Sequence, residues 1–169
     1  LKRLTLNPVE EDEFIDKDIN IRDYLHEIIS SFREISKKEF VFNFDQDSNP
    51  KKISKSIEIV YGLRNFIGNA NKFAKNTIFI NLKSDSEITE ITVEDDGDGY
   101  PRDIISKIGE PYLKSNYSKD KSKEGLGLGL FIGKTLLEKN FASVNCRNSK
   151  TRNGAEVVIR WKNKELFNI

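Results

Sequence analysis

Glycine, asparagine, aspartate and lysine make the spacings with the most chemical content in this sequence. Residues 124–137 read Glu124-Gly125-Leu126-Gly127-Leu128-Gly129-Leu130-Phe131-Ile132-Gly133-Lys134-Thr135-Leu136-Leu137. Glycines alternate with leucines, and the pattern then turns helical. Glycine lets backbone N–H groups come close to an anion. A helix starting where such a loop ends aims free N–H groups and its positive dipole end at the same anion. The chemistry on offer is phosphate binding. A Gly-rich connection before an ordinary core helix would leave the same trace. Two common phosphate cradles fail on spacing. The P-loop ending at Gly133-Lys134-Thr135 would need glycine where Leu128 stands, and G-x-G-x-x-G from Gly125 meets Leu130.

A second set lies on a predicted helix over residues 53–75, whose apolar stripe is Ile53, Ile57, Val60, Leu63, Ile67, Ala70 and Ala74. Asn65, Asn69 and Lys72 stand at i, i+4 and i+7, on one face. Asparagine is a poor helix former, so Asn65, Asn69 and Asn71 together ask for a reason. One is that the Asn69 amide oxygen takes Mg²⁺ while Lys72 meets phosphate. The other is a solvated face in a chain rich in Asn and Lys. A third set, Asp95-Asp96-Gly97-Asp98-Gly99-Tyr100, ends a predicted strand. An EF-hand is excluded, because the twelfth residue from Asp95 is Ser106 and not Glu. This leaves an acidic turn, or one buried Asp beside glycines that let a flat ligand lie against the backbone.

The elements that must hold these sets follow from periodicity. Leu1, Leu4 and Leu6, then Pro8 and Glu10-Glu11-Asp12-Glu13, read as the end of a preceding helix and a linker over residues 1–14. The domain proper is expected over 15–169. A helix starts at Asp18, with Ile21, Tyr24, Leu25, Ile28, Ile29 and Phe32 on its apolar face and Asp16 or Asp18 as cap. Phe40, Phe42 and Phe44 alternate as in a strand, and residues 77–83 and 88–94 read as a hairpin. A short helix is expected from Pro101 to Ile108. Residues 109–124 are polar and aperiodic, with Lys114, Lys119, Lys121 and Lys123. A mobile cationic lid and a merely solvated loop both fit. A helix over Leu130–Asn140 and strands over Ala142–Arg147 and Ala155–Trp161 complete the chain. Cys146, on the first of these strands, reads as a half-buried core residue.

Composition narrows the partners. The 169 residues carry 28 Lys+Arg against 27 Asp+Glu, a net charge of +1, which gives nucleic acid or an anionic membrane no electrostatic footprint. No apolar run is long enough to span a bilayer. One Cys excludes an internal disulfide or a Cys-based metal cluster. Methionine is absent even at position 1, so the chain reads as a piece of a longer protein.

In this order the sets resemble a known family. Asn65-x-x-x-Asn69-Ala70-x-Lys72-Phe73 resembles the N box of the GHKL ATP-binding superfamily of sensor histidine kinases, DNA gyrase, Hsp90 and MutL. Asp95-x-Gly97-x-Gly99 looks like its first glycine box, and Glu110-Pro111-Tyr112 like its F box. Gly125-x-Gly127-Leu128-Gly129-Leu130 looks like its second glycine box. The resemblance covers residues 53–161. It implies an α/β (α+β) two-layer sandwich of the Bergerat type, with a mixed β-sheet, three helices on one face and a flexible ATP lid. It also implies ATP and Mg²⁺ as cofactors. Asp95 would accept from the adenine amino group and Asn69 would hold Mg²⁺. Asn65 and Lys72 would assist at the phosphates. Gly97 and Gly99 would line the adenine cavity, and Phe73 and Tyr112 would pack at the nucleotide and lid. Gly125, Gly127 and Gly129, followed by Leu130, would carry the lid over the triphosphate.

The branch is implied by one position. Hydrolysing members have a Glu four residues before the Mg-binding Asn; here it is Asn65, whose amide is no base. A kinase needs no such Glu, because its nucleophile is a histidine imidazole on another domain. Gly109-Glu110-Pro111-Tyr112 and the run from Gly129 to Leu137 are similar to RegB/PrrB-type sensor kinases. The resemblance implies the ATP-binding catalytic domain of a two-component sensor histidine kinase, a cytoplasmic part of a membrane-anchored protein. Its partners would be a histidine-bearing dimerisation hairpin and a cognate response regulator, and the piece itself would be monomeric. His26-Glu27-Ile28 is similar to the start of a phosphoacceptor motif, but Ser31 stands at its Pro position, so His26 is expected to be a partly exposed helix residue.

Overall fold

The structure, a computed structural model, describes residues 19–45, 52–53, 56–105, 107 and 126–166. Two short strands, β1 (Ile19–Asn20) and β3 (Lys52–Ile53), pair antiparallel, Ile19 opposite Ile53. Five strands make the main sheet: β2 (Glu39–Phe44), β4 (Thr77–Ser84), β5 (Ile88–Asp95), β6 (Ser143–Asn148) and β7 (Ala155–Lys162). Their order is β2-β4-β5-β7-β6. β2 runs parallel to β4 and the other neighbours are antiparallel, so the sheet is mixed as expected.

Three long helices, α1 (Ile21–Ile35), α2 (Ile57–Phe73) and α4 (Leu126–Lys139), cover one face; α3 (Arg102–Ile105) and α5 (Asn163–Leu166) are single turns. Alternation explains the layering. Ile78, Ile80 and Leu82 of β4, Ile91 and Val93 of β5, and Val157, Ile159 and Trp161 of β7 turn inward. They form one core with Tyr24, Leu25 and Ile29 of α1, Leu63, Phe66 and Ile67 of α2, and Leu130 and Leu137 of α4. Each such side chain contributes about 1.5–3 kcal/mol on burial. The opposite face carries the ion pairs Arg160–Glu90, Arg147–Glu156 and Arg152–Glu94. Exposed pairs contribute roughly 0–1 kcal/mol each; of these three carboxylates only Glu94 is buried, so the fold rests mainly on the helix side.

Several boundaries differ from the sequence reading. The cap of α1 is Asn20, whose side chain accepts from the Arg22 N–H at 2.8 Å; Asp16 and Asp18 lie outside the described residues. α2 starts at Ile57, because Ser56 caps it by accepting from the Ile59 N–H, while Ile53 is drawn into pairing with Ile19. α3 is described over Arg102–Ile105; its expected end at Ile108 lies outside the described residues. The largest difference is in α4, which begins at Leu126 and not at Leu130. Gly127 and Gly129 are therefore helical residues, not loop residues.

Candidate functional site

A cavity of about 260 Å³ opens between α2, the end of β5 with the loop after it, and the start of β7. Phe66, Asn69, Ala70 and Phe73 line it from α2, Val93 and Asp95 from β5. Asp98, Gly99, Tyr100 and Pro101 come from the loop, Ala155 and Val157 from β7. Most of the wall is apolar, and its polar groups are few and separately placed, as small-molecule sites require.

Asp95 is 3% exposed. Its Oδ1 accepts the Gly97 N–H at 2.8 Å and the Ala155 N–H at 3.3 Å. Both backbone donors go to one oxygen, and Oδ2 is left for a ligand donor. Burial pushes the Asp95 carboxyl above the ordinary aspartate value, and the Gly97 and Ala155 N–H groups oppose this. Gly97 must be glycine: a Cβ there would lie 2.2 Å from the Phe73 carbonyl oxygen. The loop after β5 is thus pressed directly onto the C-terminal end of α2. Gly154, which lies just before β7 and in none of the candidate sets, is under the same pressure. Its Cβ would lie 1.9 Å from the Asp95 carbonyl oxygen.

The acidic triplet divides into three jobs. Asp96 accepts from the N–H groups of Lys75, Asn76 and Thr77 at 2.8–3.2 Å, fixing the turn from α2 into β4. Burial alone would raise its pKa, but those donors together hold it below the ordinary value. Asp98 is exposed and paired with Lys75 at 3.2 Å. The three carboxylates do not converge, and among the described residues no cluster of three or more His, Cys, Asp or Glu could hold a metal.

The asparagines of α2 divide likewise. The Asn65 amide donates to the Tyr61 carbonyl at 2.8 Å. Asn71 accepts from the Ser36 hydroxyl at 2.6 Å, tying α2 to the end of α1. Only Asn69 lines the cavity, and its Nδ2 is buried without a hydrogen-bond partner. A buried amide of this kind costs about 1–3 kcal/mol unless something satisfies it. Nδ2 is a donor and fits a phosphate oxygen; only the oxygen of the same amide could join phosphate oxygens and water around Mg²⁺, the usual mode for that ion. Lys72 is exposed, with its amine 5.4 Å over the Phe73 ring. Lys38, which nothing in the sequence signalled, donates to the carbonyls of Asn71 and Lys72 and caps α2.

The glycines of α4 do a job that the loop reading did not foresee. A Cβ on Gly129 would lie 3.3 Å from Asn69 Nδ2, and one on Gly133 would lie 2.9 Å from the Phe66 ring. The missing side chains let α4 lie against α2 at the cavity wall. Leu130 is 0% exposed in the core and does not line the cavity. Tyr112, Gly125 and the lid lysines lie outside the described residues. His26 is exposed on α1, edge-on to Phe42 at 4.8 Å. Cys146 is half-buried, and burial pushes its thiol up to about 11, which suits a core residue and not a nucleophile.

The model of the family described as histidine kinase-, DNA gyrase B- and HSP90-like ATPases matches residues 54–165. The chain belongs to this ATPase family. Membership implies ATP binding. The sensor histidine kinase RegB of Cereibacter sphaeroides is 38% identical over 108 residues, covering 61% of this chain and 23% of that protein. The sensor protein RstB of Escherichia coli is 31% identical over 99 residues, 59% of this chain and 23% of that protein. The chain therefore matches about a quarter of the length of these relatives. Among solved structures, the catalytic domain of histidine kinase ThkA aligns with a TM-score of 0.71 at 20% identity, covering 86% of this chain and 96% of that one. The mycobacterial sensor histidine kinase MprB aligns at 0.68 and 18% identity, covering 88% and 97%. These likenesses establish the fold of this ATPase-family domain as that of histidine kinase catalytic domains.

Proposed function

We propose that this domain binds Mg-ATP and presents its γ-phosphoryl group to a histidine on a separate dimerisation hairpin, as the catalytic domain of a two-component sensor histidine kinase. The observation that carries this is the Asn69 Nδ2, a buried donor without a hydrogen-bond partner in the wall of a cavity that also holds the buried carboxylate Asp95; the donor suits a phosphate oxygen, and the oxygen of the same amide would be the ligand for Mg²⁺. Asp95 takes the adenine amino group on Oδ2, and Asn69 holds the cation that neutralises the phosphates. Mg²⁺ supplies charge neutralisation when bound; the side chains supply placement.

The acceptor is a histidine and not water because the position one turn before Asn69 offers no base. One turn before Asn69 stands Asn65, already donating to Tyr61, and an amide cannot take a proton. In the transfer, a histidine ring nitrogen bonds to the γ-phosphorus, the bond to the β-phosphate oxygen breaks, and ADP leaves. The lid of Tyr112, Gly125 and the lysines closes over the triphosphate, and Lys72 assists there. The cognate response regulator then receives the phosphoryl group. No helix among the described residues is long and apolar enough to cross a membrane. Anchoring belongs to the rest of the protein, with this domain on its cytoplasmic side, and the piece alone is a monomer.

The test uses γ-labelled ATP and Mg²⁺, with and without the hairpin of the same kinase. Label is expected on the hairpin histidine and none on His26. Steady release of inorganic phosphate by the domain alone, at the same rate with or without hairpin, would overturn the kinase reading in favour of an ATPase.

A further inference from the structure

We propose that Asn148, on the edge strand β6, is a positioning residue that sets the loop wall of the nucleotide cavity. This rests on the cavity being the ATP site. The loop leaves β5 after Asp95 and returns to the sheet only at Tyr100, whose N–H and C=O are both held by one side chain. The Tyr100 N–H donates to Asn148 Oδ1 at 2.6 Å, and Asn148 Nδ2 donates to the Tyr100 carbonyl at 3.0 Å. A carboxamide offers an acceptor and a donor side by side, as a peptide group does. Asn148 therefore holds Tyr100 as a further strand would, where no strand exists. Two more contacts press the loop the same way. The buried Tyr100 phenol interacts with the Cys146 thiol, two residues earlier on the same face of β6. Gly99, at φ +78°, leaves room for Asn148: a Cβ there would lie 2.8 Å from Asn148 Oδ1.

Asn148 does not line the cavity, whereas Gly99, Tyr100 and Pro101 do. Its effect on a ligand passes through them. Because Asn148 is exposed at the sheet edge, truncating it removes no core packing. Asn148→Ala frees both backbone groups of Tyr100. Asn148→Asp keeps the acceptor for the N–H but sets an oxygen against the Tyr100 carbonyl.

Calorimetric titration with adenosine, ADP and Mg-ATP, on the wild-type chain and both variants, tests this. Asn148→Ala is expected to weaken all three ligands alike by about tenfold, equivalent to ~1.4 kcal/mol, because the wall meets the part they share. Binding stoichiometry stays that of the wild type, and exchange of the Tyr100 amide hydrogen accelerates. Asn148→Asp, which also serves if the alanine variant fails to fold, falls between. An Asn148→Ala affinity within twofold of wild type would overturn the proposal. So would a loss confined to Mg-ATP, or lost stoichiometry at unchanged affinity, which marks a merely structural role. Wild-type protein that binds none of the three would instead sink the ATP reading on which the proposal rests.

Discussion

Replacing Asp95 by Asn separates binding from stability, because the two should move in opposite directions. The carboxylate is 3% exposed, and its Oδ1 holds the Gly97 and Ala155 N–H groups. Asparagine has nearly the same shape and can keep its one oxygen on those donors. Its NH₂ then stands where Oδ2 was, and two donors face each other when adenine enters. Losing a hydrogen bond to a charged group costs about 1.5–3 kcal/mol, or roughly 10- to 150-fold in Kd. Stability follows the other sign. Burial raises the Asp95 pKa, so the folded state keeps its proton to a higher pH than the unfolded chain. Between the ordinary aspartate value and the raised one, the folded state binds more protons, and stability falls as pH rises through that window. At pH 7 the wild type carries the whole penalty and Asn carries none. Calorimetry should show the loss for adenosine as well as ATP. Thermal melting should place Asp95→Asn at or above wild type at pH 7, with the gap closing as pH is lowered into the window. Unchanged affinity with a lower melting temperature would refute the reasoning, since Asp95 would then be a structural acceptor only.

Asn69→Ala should abolish the gain in ATP affinity that Mg²⁺ gives and raise the melting temperature of the nucleotide-free protein, because it removes a buried Nδ2 that has no protein partner; melting, and titrations with Mg²⁺ and with chelator, check this. Gly97→Ala must push the loop off the Phe73 carbonyl, 2.2 Å from the new Cβ, and overpacking of that kind costs about 1–3 kcal/mol, visible in melting and as lost adenosine binding. Phe141→Gly should stabilise by about 1 kcal/mol, because Phe141 sits at φ 69° and is 55% exposed, so the left-handed strain is relieved at little loss of packing; a lower denaturation midpoint would contradict it. Asp96→Ala should lower stability by about 1.5 kcal/mol at pH 7. In the wild type this contribution is present above the unfolded aspartate pKa and is lost as pH falls through the depressed folded value, so the two proteins should converge in acid melts.

Much of the fold was legible because period and burial coincide in it. The 77–83 and 88–94 alternations became the central antiparallel pair β4 and β5, and the stripe from Tyr24 to Ile29 became the buried face of α1. Local chemistry also marked the stretch from Asp95 to Gly99 and the face that carries Asn69, since acidic residues among glycines at a strand end and a polar face on an apolar helix are visible without any contact map. What stayed hidden depends on residues far apart in the chain. Ile53 looked helical until Ile19 offered it a strand partner. Gly127 and Gly129 looked like a loop because glycine lowers helix propensity, but α4 runs through both, and at Gly129 and Gly133 it packs closely on α2. Asp95, Asp96 and Asp98 are equivalent by spacing. Only the tertiary neighbours decide that Asp95 is buried between Gly97 and Ala155, that Asp96 ties down the start of β4, and that Asp98 faces water with Lys75. Asn148 lies 48 residues from Tyr100, and no local pattern could join them. Residue types and periods settle which groups are available; the folded chain settles which of them are desolvated together, and that is what turns a carboxylate or an amide into a binding group.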